Sequence, residues 1–124
     1  FGNERASRIS PTNSTLKREM PFTVHNDAPI VPPDMIRLLW STTNRITRSG
    51  KVLGPDQRIS TYEALKAMTI NAAYQHFEED IKGTIEVGKL ADLVVLSENP
   101  LEIDAKELLD MKVVATFSHG VRIF

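Results

Sequence analysis

The stretch KGTIEVGKLADLVVL, residues 82–96, constrains the fold more than any other part of this chain. Gly83 and Gly88 allow the tight turns that end helical structure, because glycine adopts positive φ without a steric penalty. The apolar run at 93–96 then has the length and the β-branched content of a buried strand. The chain therefore changes from helical to extended near Gly83, which predicts a mixed α/β fold.

Composition and charge narrow the class of protein. The 124 residues suit one domain with a modest core, and 41% hydrophobic with 25% charged residues is typical of a globular protein. A net charge of -1 argues against nucleic acid or an anionic membrane as a partner, and no apolar run approaches the roughly 20 residues of a spanning helix. The absence of cysteine excludes disulfides and thiolate metal sites.

Helical patterns dominate the first two thirds of the chain. Asp34 is suited to cap a helix that should run to about Arg48, and Ser60 with Glu63 matches a capping box. We also expect helices near 4–9, 12–20 and 73–78. The intervening run PFTVH, residues 21–25, is short and rich in β-branched and aromatic residues, which predicts a buried strand.

Extended structure is expected after Gly83. Apolar runs predict strands at 93–96, 113–117 and 121–124, with a hairpin turn at Ser118-His119-Gly120 and a short helix at 104–110. This pattern divides the chain into two regions, 1–80 and 81–124. Neither region is expected to be stable by itself, because a single strand and a three-stranded sheet are each marginally stable.

The segments HNDAP, residues 25–29, and KGTIEVGKLADLVVL resemble the amidohydrolase superfamily in type, order and separation. The resemblance is to amidohydrolase family 3, whose relatives include proteins of the exoenzyme-regulatory type. It implies that 1–80 holds the last strand and helices of a (β/α)8 barrel and that 81–124 holds the C-terminal strands of the accessory β-sandwich. Because a whole barrel takes about 250 residues, we expect a C-terminal portion of a longer enzyme.

Asp27 is the principal candidate site residue. The resemblance implies that it binds the active-site metal and takes a proton from the attacking water. Its position just past a strand agrees with this role, because catalytic residues of such barrels lie at the carboxyl ends of strands and a carboxylate suits a divalent metal. The alternative is that Asp27 only caps the turn before Ala28-Pro29.

His25 and Asn26 are candidates for a supporting role. Side chains alternate along a strand, so His25 should share a face with Asp27 and line the site or orient that carboxylate. A purely structural role for His25 is the alternative. His76 and His119 match no ligand position of the family. The stretch 69–73 resembles a family segment in which an Asn ties a helix to the barrel. The alternative is that this stretch is an ordinary packing surface of a helix.

Two basic segments have structural explanations. Residues 82–92 carry two glycines and two lysines but lack the spacing of a phosphate-binding loop. The cluster of Arg45, Arg48 and Lys51 lies near a predicted helix end, where it would stabilise the helix dipole.

The resemblance implies an enzyme that hydrolyses C–N bonds of amides or cyclic amides in a small-molecule substrate, with a divalent metal, zinc by family likeness. Because Asp27 is the only residue predicted to bind the metal directly, we expect the chain alone to hold no metal and to be inactive. The other hypothesis is a noncatalytic structural or self-association module. Apolar residues such as Phe22, Val24, Leu39 and Trp40 would be exposed without the barrel, which favours a homo-oligomer. A cytoplasmic location is expected, and a signal peptide ahead of Phe1 stays open.

Overall fold

A computed structural model describes residues 2–124. The helices come first and a small antiparallel sheet comes last, so the mixed α/β class is confirmed. None of the helices in this range is long and apolar enough to cross a membrane. The helices are α1 (Gly2–Ala6), α2 (Thr12–Leu16), α3 (Met35–Asn44), α4 (Thr61–Met68) and α5 (Ile70–Gln75), the strands are β1 (Leu93–Leu96), β2 (Val113–Ser118) and β3 (Val121–Arg122), and 3-10 turns lie at Pro55–Gln57 and Ala105–Asp110.

Helix α3 begins where its cap predicts and ends earlier than expected. The Asp34 carboxylate accepts a hydrogen bond from the Arg37 N–H at 2.9 Å. The helix stops at Asn44 because Arg45 adopts a left-handed conformation, with φ of 55°, and the main-chain N–H of Leu53 then bonds the Arg45 carbonyl. The predicted extension to Arg48 is therefore wrong.

Helix α4 has half of its predicted capping box. The Ser60 hydroxyl accepts from the Glu63 N–H at 3.2 Å, but the Glu63 carboxylate pairs with Lys66 at 3.3 Å. The helix ends at Met68, and α5 starts at Ile70, earlier than the stretch predicted from residue 73.

The three strands form one sheet in the order β1-β2-β3. A two-residue turn joins β2 to β3, and His119 and Gly120 both have positive φ, 51° and 79°, as a type I′ hairpin turn requires. Asp92 anchors this turn, because its carboxylate accepts from the His119 N–H at 2.8 Å.

Strand β1 is formed but is not buried. Leu93, Val94 and Val95 are 36%, 54% and 44% exposed. A continuous apolar strand needs cover on both faces, and no second sheet packs against this one among residues 2–124. The predicted burial of β1 is wrong for that reason.

The predicted strand at 21–25 is not formed either. Residues 21–27 run without regular secondary structure, with Phe22, Thr23 and Val24 half-buried and His25 exposed. A strand requires a neighbour to complete its ladder of hydrogen bonds, and the three strands of the sheet are paired with one another.

The core joins both halves of the sequence. Leu39 of α3 and Leu108 of the second 3-10 turn are almost fully buried and share a cluster with Ile59, Ala64 and Met111. The Trp40 indole N–H donates to the Lys106 carbonyl at 3.2 Å. The expectation that Leu39 and Trp40 would be exposed is therefore wrong, because the turn at 105–110 covers them, whereas the division of the chain near residue 80 stays a prediction.

Candidate active site

Asp27 occupies a turn that leaves its carboxylate unused. The residue has φ of 56°, in the left-handed region that Asp tolerates better than most residues, and the Ala28–Pro29 peptide is cis. The Asp27 carbonyl accepts from the Ile30 N–H at 2.9 Å, which closes the turn through the main chain. Asp27 is exposed, and its carboxylate makes no hydrogen bond or ion pair with residues 2–124. The alternative role, capping of this turn by the side chain, therefore has no bond to support it.

His25 contacts the main chain of Asp27 rather than its carboxylate. The Asp27 N–H donates to His25 Nδ1 at 3.1 Å. With Nδ1 accepting, the neutral ring carries its proton on Nε2. The expectation of a shared face rested on strand alternation, which the positive φ of Asp27 interrupts. The His25 side chain thus orients Asp27 by binding the main chain of Asp27.

Asn26 ties the same segment to the following helix. Its side-chain amide lies 3.4 Å from the sulfur of Met35, the first residue of α3. The sequence predicted that Asn26 supports the site or lines it for substrate, which stays a prediction, and the structure shows a contact that positions the segment.

Helix α5 holds the segment from the other side. The Asn71 amide donates to the Phe22 carbonyl at 3.0 Å, which confirms that an Asn in the 69–73 stretch ties the helix to this segment. The Thr23 hydroxyl donates to the Gln75 side-chain oxygen at 2.7 Å. Sequence reasoning missed Gln75, although its place four residues after Asn71 puts both on one helical face.

The described residues fit a metal only in part. No group of three or more His, Asp or Glu side chains that could hold a metal ion is found among residues 2–124. The free carboxylate of Asp27 suits a divalent metal as one ligand, but Nδ1 of His25 already accepts from the main chain. His119 lies at the hairpin, with Nδ1 3.1 Å from the Ser118 hydroxyl. In the segment 25–27 of the described residues, the Asp27 carboxylate is the side chain suited to a metal, and one such group does not complete a site.

A cavity of about 430 Å³ adjoins His25. One wall is formed by residues 22–25, another by α3 and a third by residues 10–15. Arg45 also lines it, and its guanidinium donates to the carbonyls of Leu53, Ser10 and Ile9 at 2.7, 3.0 and 2.5 Å. Burial lowers the pKa of Arg45. The sequence assigned Arg45 only to a helix end, since contacts with distant carbonyls leave no local pattern.

The lysines of residues 82–92 serve the loop itself. Lys89 Nζ donates to the Glu79 carbonyl at 2.6 Å and to the Thr84 hydroxyl at 2.7 Å, and Lys82 pairs with Glu78 at 2.8 Å. The hydrogen bond that the Lys82 ammonium donates to the Glu78 carboxylate raises the pKa of Lys82. This segment has the structural role that its spacing favours.

Comparison with known proteins identifies the class to which this chain belongs. A model of the amidohydrolase family matches residues 1–124, so the chain belongs to that family. It is 30% identical over 119 residues to the N-substituted formamide deformylase of Arthrobacter pascens, covering 96% of this chain and 22% of that protein. It is 29% identical over 127 residues to the putative amidohydrolase YtcJ of Bacillus subtilis (strain 168), covering 100% and 24%.

Two further similarities agree with this family. The protein LONG AFTER FAR-RED 3 of Arabidopsis thaliana is 30% identical over 126 residues, covering 100% of this chain and 21% of that protein. The crystal structure of an amidohydrolase from Thermotoga maritima MSB8 superposes with a TM-score of 0.67 at 26% identity, covering 92% of this chain and 26% of that one. The chain thus spans about a quarter or less of each of these proteins.

Proposed function

We propose that this chain is the C-terminal portion of a metal-dependent hydrolase that breaks C–N bonds in amides or cyclic amides. Membership of the amidohydrolase family supports a hydrolase, and the chain covers only 21% to 24% of its curated relatives. In this proposal residues 21–25 become the last strand of a (β/α)8 barrel once neighbouring strands pair with them. Residues 81–124 contribute the last strands of a β-sandwich.

The free carboxylate of Asp27 is the observation that carries the proposal. It is exposed while its main chain is held by His25 and by the turn to Ile30. Helix α5 fixes the same segment through Asn71 and Gln75. A carboxylate that is firmly placed yet unbonded is available to a ligand, which is what a catalytic base or a metal ligand requires.

The chemistry assigned to Asp27 is proton transfer. A divalent metal, zinc in this proposal, would supply Lewis acidity toward the scissile carbonyl and lower the pKa of water. Asp27 would bind at that centre and accept the proton of the attacking water at a carboxylate oxygen. His25 would keep the Asp27 main chain in place, with its Nε2–H free to meet the substrate.

The substrate proposed is a small molecule with an amide carbonyl. The Arthrobacter relative is named for deformylation of N-substituted formamides, and a formamide presents the same C–N bond as other amides. Turnover on a panel of substrates distinguishes a linear formamide from a cyclic amide.

The test compares this chain with the intact enzyme that contains it. Metal content is measured by mass spectrometry and turnover on a panel of N-substituted formamides, N-acyl amino acids and cyclic amides. The proposal predicts metal and turnover in the intact enzyme and neither in the chain alone. An intact enzyme that hydrolyses none of these amides overturns the reaction class, and stoichiometric metal with turnover in the chain alone overturns the incomplete site.

A noncatalytic self-association module is the second candidate, and exposed apolar side chains favour it. Phe77 and Ile85 are each 89% exposed, and Phe124 is 66% exposed. Strand β1 adds an apolar edge without charges, and unprotected edges of this kind pair with other chains. This candidate predicts a homo-oligomer.

Analytical ultracentrifugation tests self-association. Val94→Lys places a charge on the edge strand and should weaken association. Val114→Lys is the matched control, because Val114 has nearly the same exposure, 51% against 54%, but lies on the middle strand β2. A compact monomer for the unmodified chain would count against this candidate.

A further inference from the structure

The cavity beside His25 is lined by one cationic side chain and by no acidic one. It has a volume of about 430 Å³ and its lining includes Arg45 and six hydroxyl-bearing residues but no Asp or Glu. Clefts of this size accommodate small molecules. The groups that line it indicate which kind of ligand would bind.

Arg45 brings a cation with spare donors. Its guanidinium has five N–H groups, of which three donate to the carbonyls of Leu53, Ser10 and Ile9, so two remain, one on each Nη. No ion pair joins it to a carboxylate among residues 2–124, although five other ion pairs of Arg or Lys are formed there, such as that of Lys66 with Glu63. Burial alone lowers the pKa of Arg45, which agrees with the lack of a nearby acid. A partly buried cation of this kind favours an anionic partner.

A hydroxyl group also lines this cavity. Thr42 is buried, at 9% exposure, and its hydroxyl makes no hydrogen bond with residues 2–124. The next residue differs, because the Thr43 hydroxyl donates to the helix carbonyls of Leu39 and Trp40. The Thr42 hydroxyl is therefore a free donor in the lining, and together with the spare N–H groups of Arg45 it favours a ligand that accepts hydrogen bonds.

We propose that this cavity binds a small carboxylate, held by the two spare N–H groups of Arg45 and by the Thr42 hydroxyl. Two donors on one planar guanidinium match the two oxygens of a carboxylate. The site goes beyond the proposed hydrolysis, because it needs neither a metal nor Asp27. A phosphate could use some of the same donors, and the titration separates the two.

The test is an NMR titration of the 15N-labelled protein with sodium acetate, and separately with sodium phosphate, against sodium chloride at equal ionic strength. Saturable shifts confined to the amides of residues 22–25 and 41–45 are expected with acetate and not with chloride. Thr42→Val should weaken acetate binding by about 10-fold or more, since it loses one hydrogen bond to a charged acceptor. Thr43→Val is the matched control, because that hydroxyl is satisfied within its own helix, and it should bind acetate normally.

Charge variants complete the test. Arg45→Gln should abolish saturable binding, whereas Arg48→Gln, an exposed arginine near the same helix end, should not. Asp27→Asn should bind acetate as the unmodified protein does, so failure of the hydrolase proposal would leave this one standing. Shifts that do not saturate or that match those with chloride overturn the proposal, as does normal binding by Thr42→Val and Arg45→Gln. Tighter binding of phosphate than of acetate overturns the carboxylate assignment.

Discussion

Gly83 lies against helix α5, where a side chain would have no room. A Cβ built on it would come within 2.9 Å of the Ala73 Cβ and 3.0 Å of the Ile70 Cα. Gly88 has a similar conformation, with φ of 98° against 95°, but a Cβ there would meet no atom within 4 Å. The two residues therefore separate the effect of packing from the effect of backbone conformation.

Alanine at these glycines should have unequal effects on the free energy of unfolding. Gly88→Ala should destabilise by about 1–2 kcal/mol, because only the positive φ is strained. Gly83→Ala should destabilise by roughly 1–3 kcal/mol more, since it also overpacks the contact with α5. Urea unfolding followed by circular dichroism measures both, and equal losses would show that Gly83 is not closely packed.

Local chemistry made some site residues predictable and left others hidden. The contact made by Asn71 was predicted because the motif that carries it is continuous in sequence, whereas the catalytic role of Asp27 stays a prediction. The contacts of Gln75 and Arg45 were not predicted, because their partners, Thr23 and the carbonyls of Ser10 and Leu53, lie far away along the chain. The detail that His25 binds the main chain of Asp27 depends on a left-handed residue that an alternation rule does not anticipate.

At the scale of elements, the segment 21–27 is positioned by side chains rather than by a sheet. Helix α5 contributes Asn71 and Gln75, and α3 contributes Met35 through Asn26. The predicted strand failed because strand formation depends on a neighbour, whereas the helix cap at Asp34 and the hairpin at His119-Gly120 were predicted correctly because both are local. Element boundaries differed where a single residue, such as Arg45, changed conformation.

Removing the contact from α5 should loosen the segment that bears Asp27. Asn71→Ala deletes the bond to the Phe22 carbonyl, so the 15N order parameters of residues 22–26 should fall toward the flexible range. Tyr74→Ala is the control, because Tyr74 is exposed on the same helix at 52%. Unchanged order parameters in Asn71→Ala would mean that the segment is held without α5.

At the scale of the whole molecule, one core connects the helices to the C-terminal half. Leu39 from α3 packs in the same cluster as Leu108 and Met111, and the Asn44 amide donates to the Ala105 carbonyl at 2.7 Å. Burial was the property least well predicted from the sequence. Strand β1 is exposed, whereas Leu39 is buried by a turn about 70 residues away in sequence. Patterns of apolar residues predict which faces of an element tend to be buried, but they do not predict which other residues bury them.

Unfolding should therefore be cooperative across the two halves. Trp40 is the single tryptophan and contacts the 105–110 turn, so its fluorescence reports on this junction. Leu108→Ala should cost about 2–5 kcal/mol and shift the fluorescence and circular dichroism transitions together. Leu109→Ala, at a residue 40% exposed, should have a much smaller effect. Separate transitions by the two probes would support two independent units.

Participation of the Asp27 carboxylate in hydrolysis is tested by measuring kcat of Asp27→Asn in the intact enzyme. Asn keeps the size of the side chain and tolerates the left-handed conformation, so the fold should be preserved while proton transfer is lost. We expect kcat to fall by at least about 100-fold, with no effect of Asp80→Asn, the same change at another exposed aspartate. Activity in Asp27→Asn close to that of the unmodified enzyme would show that this carboxylate takes no part in hydrolysis.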